Sequence, residues 1–158
     1  MCRNNNELYW LNDIKQNVIE FFVKFSRFEY ALRSNEYCET KGANIIVKTD
    51  FIKFANQYKN VSLPEELINF VKYLDDNPVG KLTSDKSYIK NKETSKSELY
   101  RLVMYLTRIR NNLFHGVKYP NLEKYEKESR GTKLINLGIK AVDFLVTIDS
   151  KIETTYRG

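Results

Sequence analysis

Apolar residues recur every three or four positions along most of this chain, and that spacing leaves few folds open to it. From about Glu7 to Ser34 the series is Leu11, Ile14, Val18, Phe21, Phe22, Phe25, Phe28 and Leu32, the stripe of a long amphipathic helix. Lys15, Lys24, Arg27 and Tyr30 fall away from that face. Thr49 or Asp50 can cap a short helix carrying Phe51, Phe54, Ala55 and Tyr58. Ser62-Leu63-Pro64-Glu65 has capping-box spacing with proline in the first turn, and predicts a helix with Leu67, Phe70, Val71 and Leu74 inward. Ser95 and Glu98 repeat that spacing ahead of Leu99, Leu102, Val103, Leu106, Ile109 and Leu113, with Gly116 and Pro120 as the stop. A last helix is expected from about Gly131 to Ile152, burying Leu134, Leu137, Ala141, Phe144, Leu145, Ile148 and Ile152. Residues Glu36 to Lys48 are mixed, with a loop at Gly42 and a brief extended stretch at Ile45 to Val47. Asn77 to Thr94, with Pro78, Gly80 and several lysines, reads as a long exposed loop. Four or five helices and no convincing strand predict an all-α bundle, a single domain spanning residues 1–158.

Composition narrows the class of protein. A chain of 158 residues with 42% hydrophobic content can bury a proper core. No apolar run approaches the ~20 residues that span a bilayer, and the polar segment Met1 to Trp10 is unlike a secretory signal. Cys2 and Cys38 make no disulfide framework, and one histidine, His115, gives little basis for a zinc site. The expectation is a cytoplasmic protein in a reducing compartment, away from membranes, with no cofactor and no metal.

Charge is the more informative bulk property. The net charge is +6, and the window from Lys81 to Lys118 alone holds nine bases against three acids. A basic segment within an otherwise balanced chain is the footprint of a polyanion partner; a solvated lysine-rich loop is the plain alternative. Lys86, Lys90, Lys92, Lys96, Arg108 and Lys118 are the candidate polyanion-binding residues, and RNA is the polyanion that the resemblance described below implies.

Two charges stand out of place when the first and fourth helices are projected at about 100° per residue. Glu29 falls inside the apolar arc between Phe22 and Val18, and Arg110 falls between Leu99 and Val103. Charged groups are rarely buried unless paired, so the two predict one buried or half-buried ion pair. The alternative to a functional role is a pair that fixes helix register. His115 follows Arg110 by five residues, at the predicted C-terminal end of the helix. There the carbonyl-rich helix terminus favours imidazolium, and a histidine would titrate near neutral pH and carry protons.

The run Arg110-Asn111-Asn112-Leu113-Phe114-His115-Gly116 resembles the R-x4-6-H signature of the HEPN superfamily of helical nucleotide-binding domains. The segment Phe21-Phe22-Val23-Lys24-Phe25-Ser26-Arg27-Phe28-Glu29-Tyr30-Ala31-Leu32 is similar to the first helix of its bacterial members. The resemblance implies a HEPN-like helical bundle that often dimerises and, where the motif is kept, a metal-independent endoribonuclease. Carried over by position, Arg110 and His115 are catalytic, Asn111 supports them, and Glu29 matches an acidic position of the first helix. Many members act in toxin–antitoxin or phage-defence systems, which implies an antitoxin or defence-system protein as a further partner.

Without a metal, RNA is the easiest phosphodiester to cleave, because its own 2′-OH can attack. In that reading His115 moves a proton to or from the 2′-OH or the leaving 5′-oxygen, and Arg110 holds the phosphate. Asn111 orients the phosphate or His115, and the basic loop binds flanking backbone without reading bases. Arg110 and His115 lie about 140° apart around one helix, which favours a homodimer that shares a composite site. The competing reading is a non-catalytic helical module that binds RNA, a nucleotide or a protein.

Overall fold

The protein is described by a computed structural model covering residues 6–43, 45–79, 81–82, 88–89, 96–114 and 130–158. It is mainly helical. Six helices lie among these residues: α1 (Asn6–Ser34), α2 (Phe51–Gln57), α3 (Glu65–Asp76), α4 (Glu98–Phe114), α5 (Arg130–Val146) and α6 (Ser150–Arg157). Two antiparallel ribbons interrupt them, β1 (Cys38–Lys41) with β2 (Ile45–Thr49), and β3 (Lys81–Leu82) with β4 (Tyr88–Ile89).

The apolar stripe of α1 is the spine of the molecule. Phe21, Phe25, Phe28 and Leu32 are fully buried, with Val18 packed at the edge of the core. The side chains of Leu11 and Ile14 lie outside the described residues. The helix packs mainly along α5 and α6. It ends where the Tyr37 N–H reaches back to the Leu32 carbonyl at 3.0 Å, with Glu36 in the left-handed region at φ 72°. Phe25 then meets Phe51, and Phe28 meets Phe54, at ring separations of 5.6 and 5.5 Å. These contacts join α2 to the C-terminal half of α1. Asp50 caps α2 by accepting from the Lys53 N–H at 2.9 Å. Buried residues from all six helices join one hydrophobic cluster.

The expectations for strands, for one loop and for several helix ends need correction. The ribbons replace the expected absence of strands. The extended stretch at Ile45 runs on to Thr49 and pairs with Cys-Glu-Thr-Lys, which is exposed or half-exposed throughout and so shows no apolar alternation to read. The segment expected as a plain exposed loop from Asn77 carries the β3–β4 pairing, and Pro78 and Val79 at its start are buried.

The rest concern helix ends. Ser62 does not cap α3; Pro64 occupies that position with no side-chain hydrogen bond, and Glu65 and Glu66 face the helix dipole instead. On α4 the Ser97 hydroxyl accepts from the Tyr100 N–H at 3.2 Å, while Ser95 lies outside the described residues. Finally, the last helix is two. The Asp149 carboxylate accepts from the Lys151 and Ile152 N–H groups and starts α6 afresh after a turn at Thr147 and Ile148. Ile152 stays buried, so the periodicity survives a change of helix axis.

Candidate functional site

Arg110 projects from the last turns of α4 with a side chain 28% exposed. It forms an ion pair with Glu29 of α1, whose side chain is 16% exposed. Its other terminal nitrogen donates to the Asn111 side-chain oxygen at 2.9 Å. The guanidinium carbon stands 5.4 Å from the centre of the Phe25 ring, a cation–π contact. Three sides of the guanidinium are therefore fixed. A half-buried arginine held this way is pre-organised to meet an oxyanion, at the cost of having its charge offset by Glu29.

The pair lies on the wall of a cleft of about 360 Å³. The β1–β2 ribbon supplies Glu39, Lys48 and Thr49 to this cleft, and the start of α2 supplies Asp50 and Ile52. Met104 and Thr107 line it from α4, two turns and one turn before Asn111 respectively. Their spacing follows from the helix repeat, which returns residues three and four apart to one face. Lys48 is paired with Glu39 at 3.2 Å, both largely exposed. Thr49 is only 9% exposed and its hydroxyl has no hydrogen-bond partner among the described residues. An unmatched buried hydroxyl costs about 1–3 kcal/mol.

The structure thus brings together three of the residues singled out in the sequence: Glu29, Arg110 and Asn111. Lys96 and Arg108 stand over the rings of Tyr100 and Tyr105, at 5.6 and 5.9 Å, and neither lines the cleft. His115, Lys86, Lys90, Lys92 and Lys118 lie outside the described residues. Sequence reasoning missed Thr49, Ile52, Met104 and Thr107 as a group, because the ribbon that carries Thr49 to α4 has no apolar signature.

Two groups with displaced titration, Tyr58 and Asp149, lie away from the cleft. Burial and a hydrogen bond to Asp149 push the Tyr58 hydroxyl well above the usual phenol range. The same bond, outweighing burial, holds the Asp149 carboxyl below its ordinary value. No group of three or more His, Cys, Asp or Glu among the described residues is placed to hold a metal ion. Among those residues no helix is long and apolar enough to cross a membrane. Comparison with protein families, with curated proteins and with solved structures finds no match.

Proposed function

We propose that this protein is a metal-independent endoribonuclease of HEPN-like type, cutting RNA in the cytoplasm as a toxin or phage-defence effector. The observation that carries the reading is the half-buried Arg110, fixed by Glu29, Asn111 and Phe25 on the wall of a cleft, five residues before the only histidine of the chain. A guanidinium so constrained suits bidentate contact with a phosphodiester and offsets charge in the transition state.

The chemistry balances without a metal. The 2′-oxygen attacks phosphorus as its proton leaves, the bond to the 5′-oxygen breaks, and that oxygen takes up a proton. The products are a 2′,3′-cyclic phosphate and a 5′-hydroxyl. His115 is the group assigned to one of these proton movements. A homodimer supplies a second His115 for the other, and an antitoxin-like protein is the further partner.

A second reading draws on the same ion pair. Glu29 already neutralises Arg110, which suits a register-fixing bridge in a binding module that never cleaves. One assay separates them: labelled RNA with purified protein in excess EDTA. Cleavage to cyclic-phosphate products supports the enzyme, and retention of intact RNA supports the module. If the RNA is neither cut nor retained, the polyanion reading falls.

A further inference from the structure

We infer that the cleft beside Arg110 is a nucleoside subsite, formed where Thr49, Ile52, Met104 and Thr107 meet, and that it prefers a base bearing an exocyclic amine over uracil. The inference deepens the ribonuclease reading and rests on it for the substrate class: the subsite takes the ribose and base that adjoin the phosphate held by Arg110.

Size sets the first limit. About 360 Å³ lies at the small end of ligand pockets, which run from about 300 to 1,000 Å³. That accommodates one nucleoside and leaves no room for a second.

Charge sets the next. Each cation in the cleft already faces a carboxylate, Arg110 with Glu29 and Lys48 with Glu39. Asp50 adds another acid, whose one oxygen accepts from the Lys53 N–H. Carboxylates therefore outnumber cations, and a chain of phosphates is repelled. One phosphate at the Arg110 edge with an uncharged nucleoside beyond it fits this balance.

Hydrogen-bonding capacity then discriminates among nucleosides. Asn111 spends its side-chain oxygen on Arg110, which leaves its NH2 group to donate. Glu39 and Asp50 each engage a partner through one oxygen and retain another as an acceptor. The amines of cytosine, adenine and guanine donate to such acceptors, whereas uracil presents a carbonyl there. The Thr49 hydroxyl, nine-tenths buried and unpartnered, can both give and accept a bond, as a ribose hydroxyl requires. Ile52 and Met104 offer apolar surface to the base.

The test is nucleotide titration of the whole protein, followed by calorimetry and by the backbone amide NMR signals. The probes are 3′-CMP, 3′-UMP and inorganic phosphate. The expected result is that 3′-CMP shifts the amides of Thr49, Ile52 and Thr107 and binds about tenfold more tightly than 3′-UMP. Inorganic phosphate should shift only Arg110 and Asn111. Thr49→Val should weaken 3′-CMP about fivefold while keeping or raising Tm, since it removes an unmatched hydroxyl. Ile52→Asp, at a position 53% exposed, should weaken it without unfolding the chain. Equal affinity for 3′-CMP and 3′-UMP overturns the base preference, and equal affinity for all three probes overturns the subsite. The two readings also separate cleanly. RNA cleavage with a KM unmoved by both substitutions removes the subsite and leaves the ribonuclease. Binding of 3′-CMP in the cleft by a protein that cuts no RNA keeps the subsite and removes the ribonuclease.

Discussion

Arg110 carries a structural and a proposed chemical duty on one side chain, and substitution should separate them. Arg110→Ala is predicted to abolish RNA cleavage and to lower stability by about 1–3 kcal/mol. This range lies between exposed and fully buried pairs, because Glu29 stays partly solvated when left alone. Glu29→Gln in the same background should recover much of the stability and none of the activity, as read by denaturant melts and product gels. His115→Ala should lose cleavage with stability within about 0.5 kcal/mol of wild type; full activity in that variant removes the catalytic assignment. Away from the site, Gly138→Ala on α5 tests the packing of α1. An added methyl would stand 2.8 Å from the ring of Phe21, which is fully buried and has no space to retreat. Overpacking of about 1–3 kcal/mol should exceed the ~1 kcal/mol that alanine gains in helix propensity, so a lower Tm is expected. At this scale the sequence was partly legible. Glu29 and Arg110 were visible because each breaks an apolar arc. Another half-buried ion pair, Arg101 with Asp75, also bound by the Tyr105 hydroxyl at 2.8 Å, was not, because Asp75 sits at the polar end of α3 and nothing marks its neighbour.

Helix interiors were readable from periodicity and helix boundaries were not, for a physical reason seen at Asp149. Leu145, Ile148 and Ile152 continue a single helical stripe, yet the backbone breaks because the Asp149 side chain competes for the amides that a continuous helix would use. The carboxylate also accepts from the Tyr58 hydroxyl at 2.7 Å, and Tyr58 in turn accepts from Tyr37 at 3.1 Å. One acid thus joins α6 to the end of α2 and to the start of the β1–β2 ribbon. Asp149→Ala is predicted to cost about 1–2 kcal/mol, the range for a lost N-cap. The pH dependence follows from the direction of its shift. The hydrogen bond from Tyr58 depresses the folded-state pKa, outweighing burial, so the stabilisation is complete above the unfolded value of about 3.9. It is lost as pH falls through the lower folded value. The difference in stability between wild type and Asp149→Asn should therefore shrink in strong acid and level off near neutrality, measured by denaturant titration across that range. The ribbon tied to this network was the least legible element. Its pairing has a bulge between Glu39 and Thr40 and exposes Ile45 and Ile46, so burial left no pattern on its residues.

At the scale of the whole molecule, one core joins the six helices, and the basic window from Lys81 to Lys118 is set against it as a local excess rather than a global one. Reversing Lys86, Lys90 and Lys92 to Glu should weaken RNA binding and flatten its salt dependence, by roughly one unit of slope for each phosphate no longer neutralised; an unchanged slope would show that this segment faces away from RNA. Assembly is the last prediction, and it follows from stoichiometry. Internal attack by the 2′-oxygen needs one proton taken and another given, and each chain holds a single histidine. Arg110 and His115 are also expected to point about 140° apart, so one chain aims both at one phosphate only with difficulty. A two-fold dimer, the commonest soluble assembly, supplies the missing group from a second copy. Repulsion between two copies of Arg110 is the main objection. The Glu29 pairing answers it in part, because each guanidinium arrives already offset by a half-buried carboxylate. The remaining cations nearby in sequence, Arg108 and Lys118, still oppose association, so dimerisation is expected to be weak and to strengthen with RNA. Mixing wild-type protein with an excess of His115→Ala chain should depress cleavage below the wild-type share, since each heterodimer brings one histidine to a shared site that uses two. Sedimentation at the assay concentration is the counterpart measurement: a wild-type protein that cleaves as a monomer excludes the shared site and requires each chain to place both groups by itself.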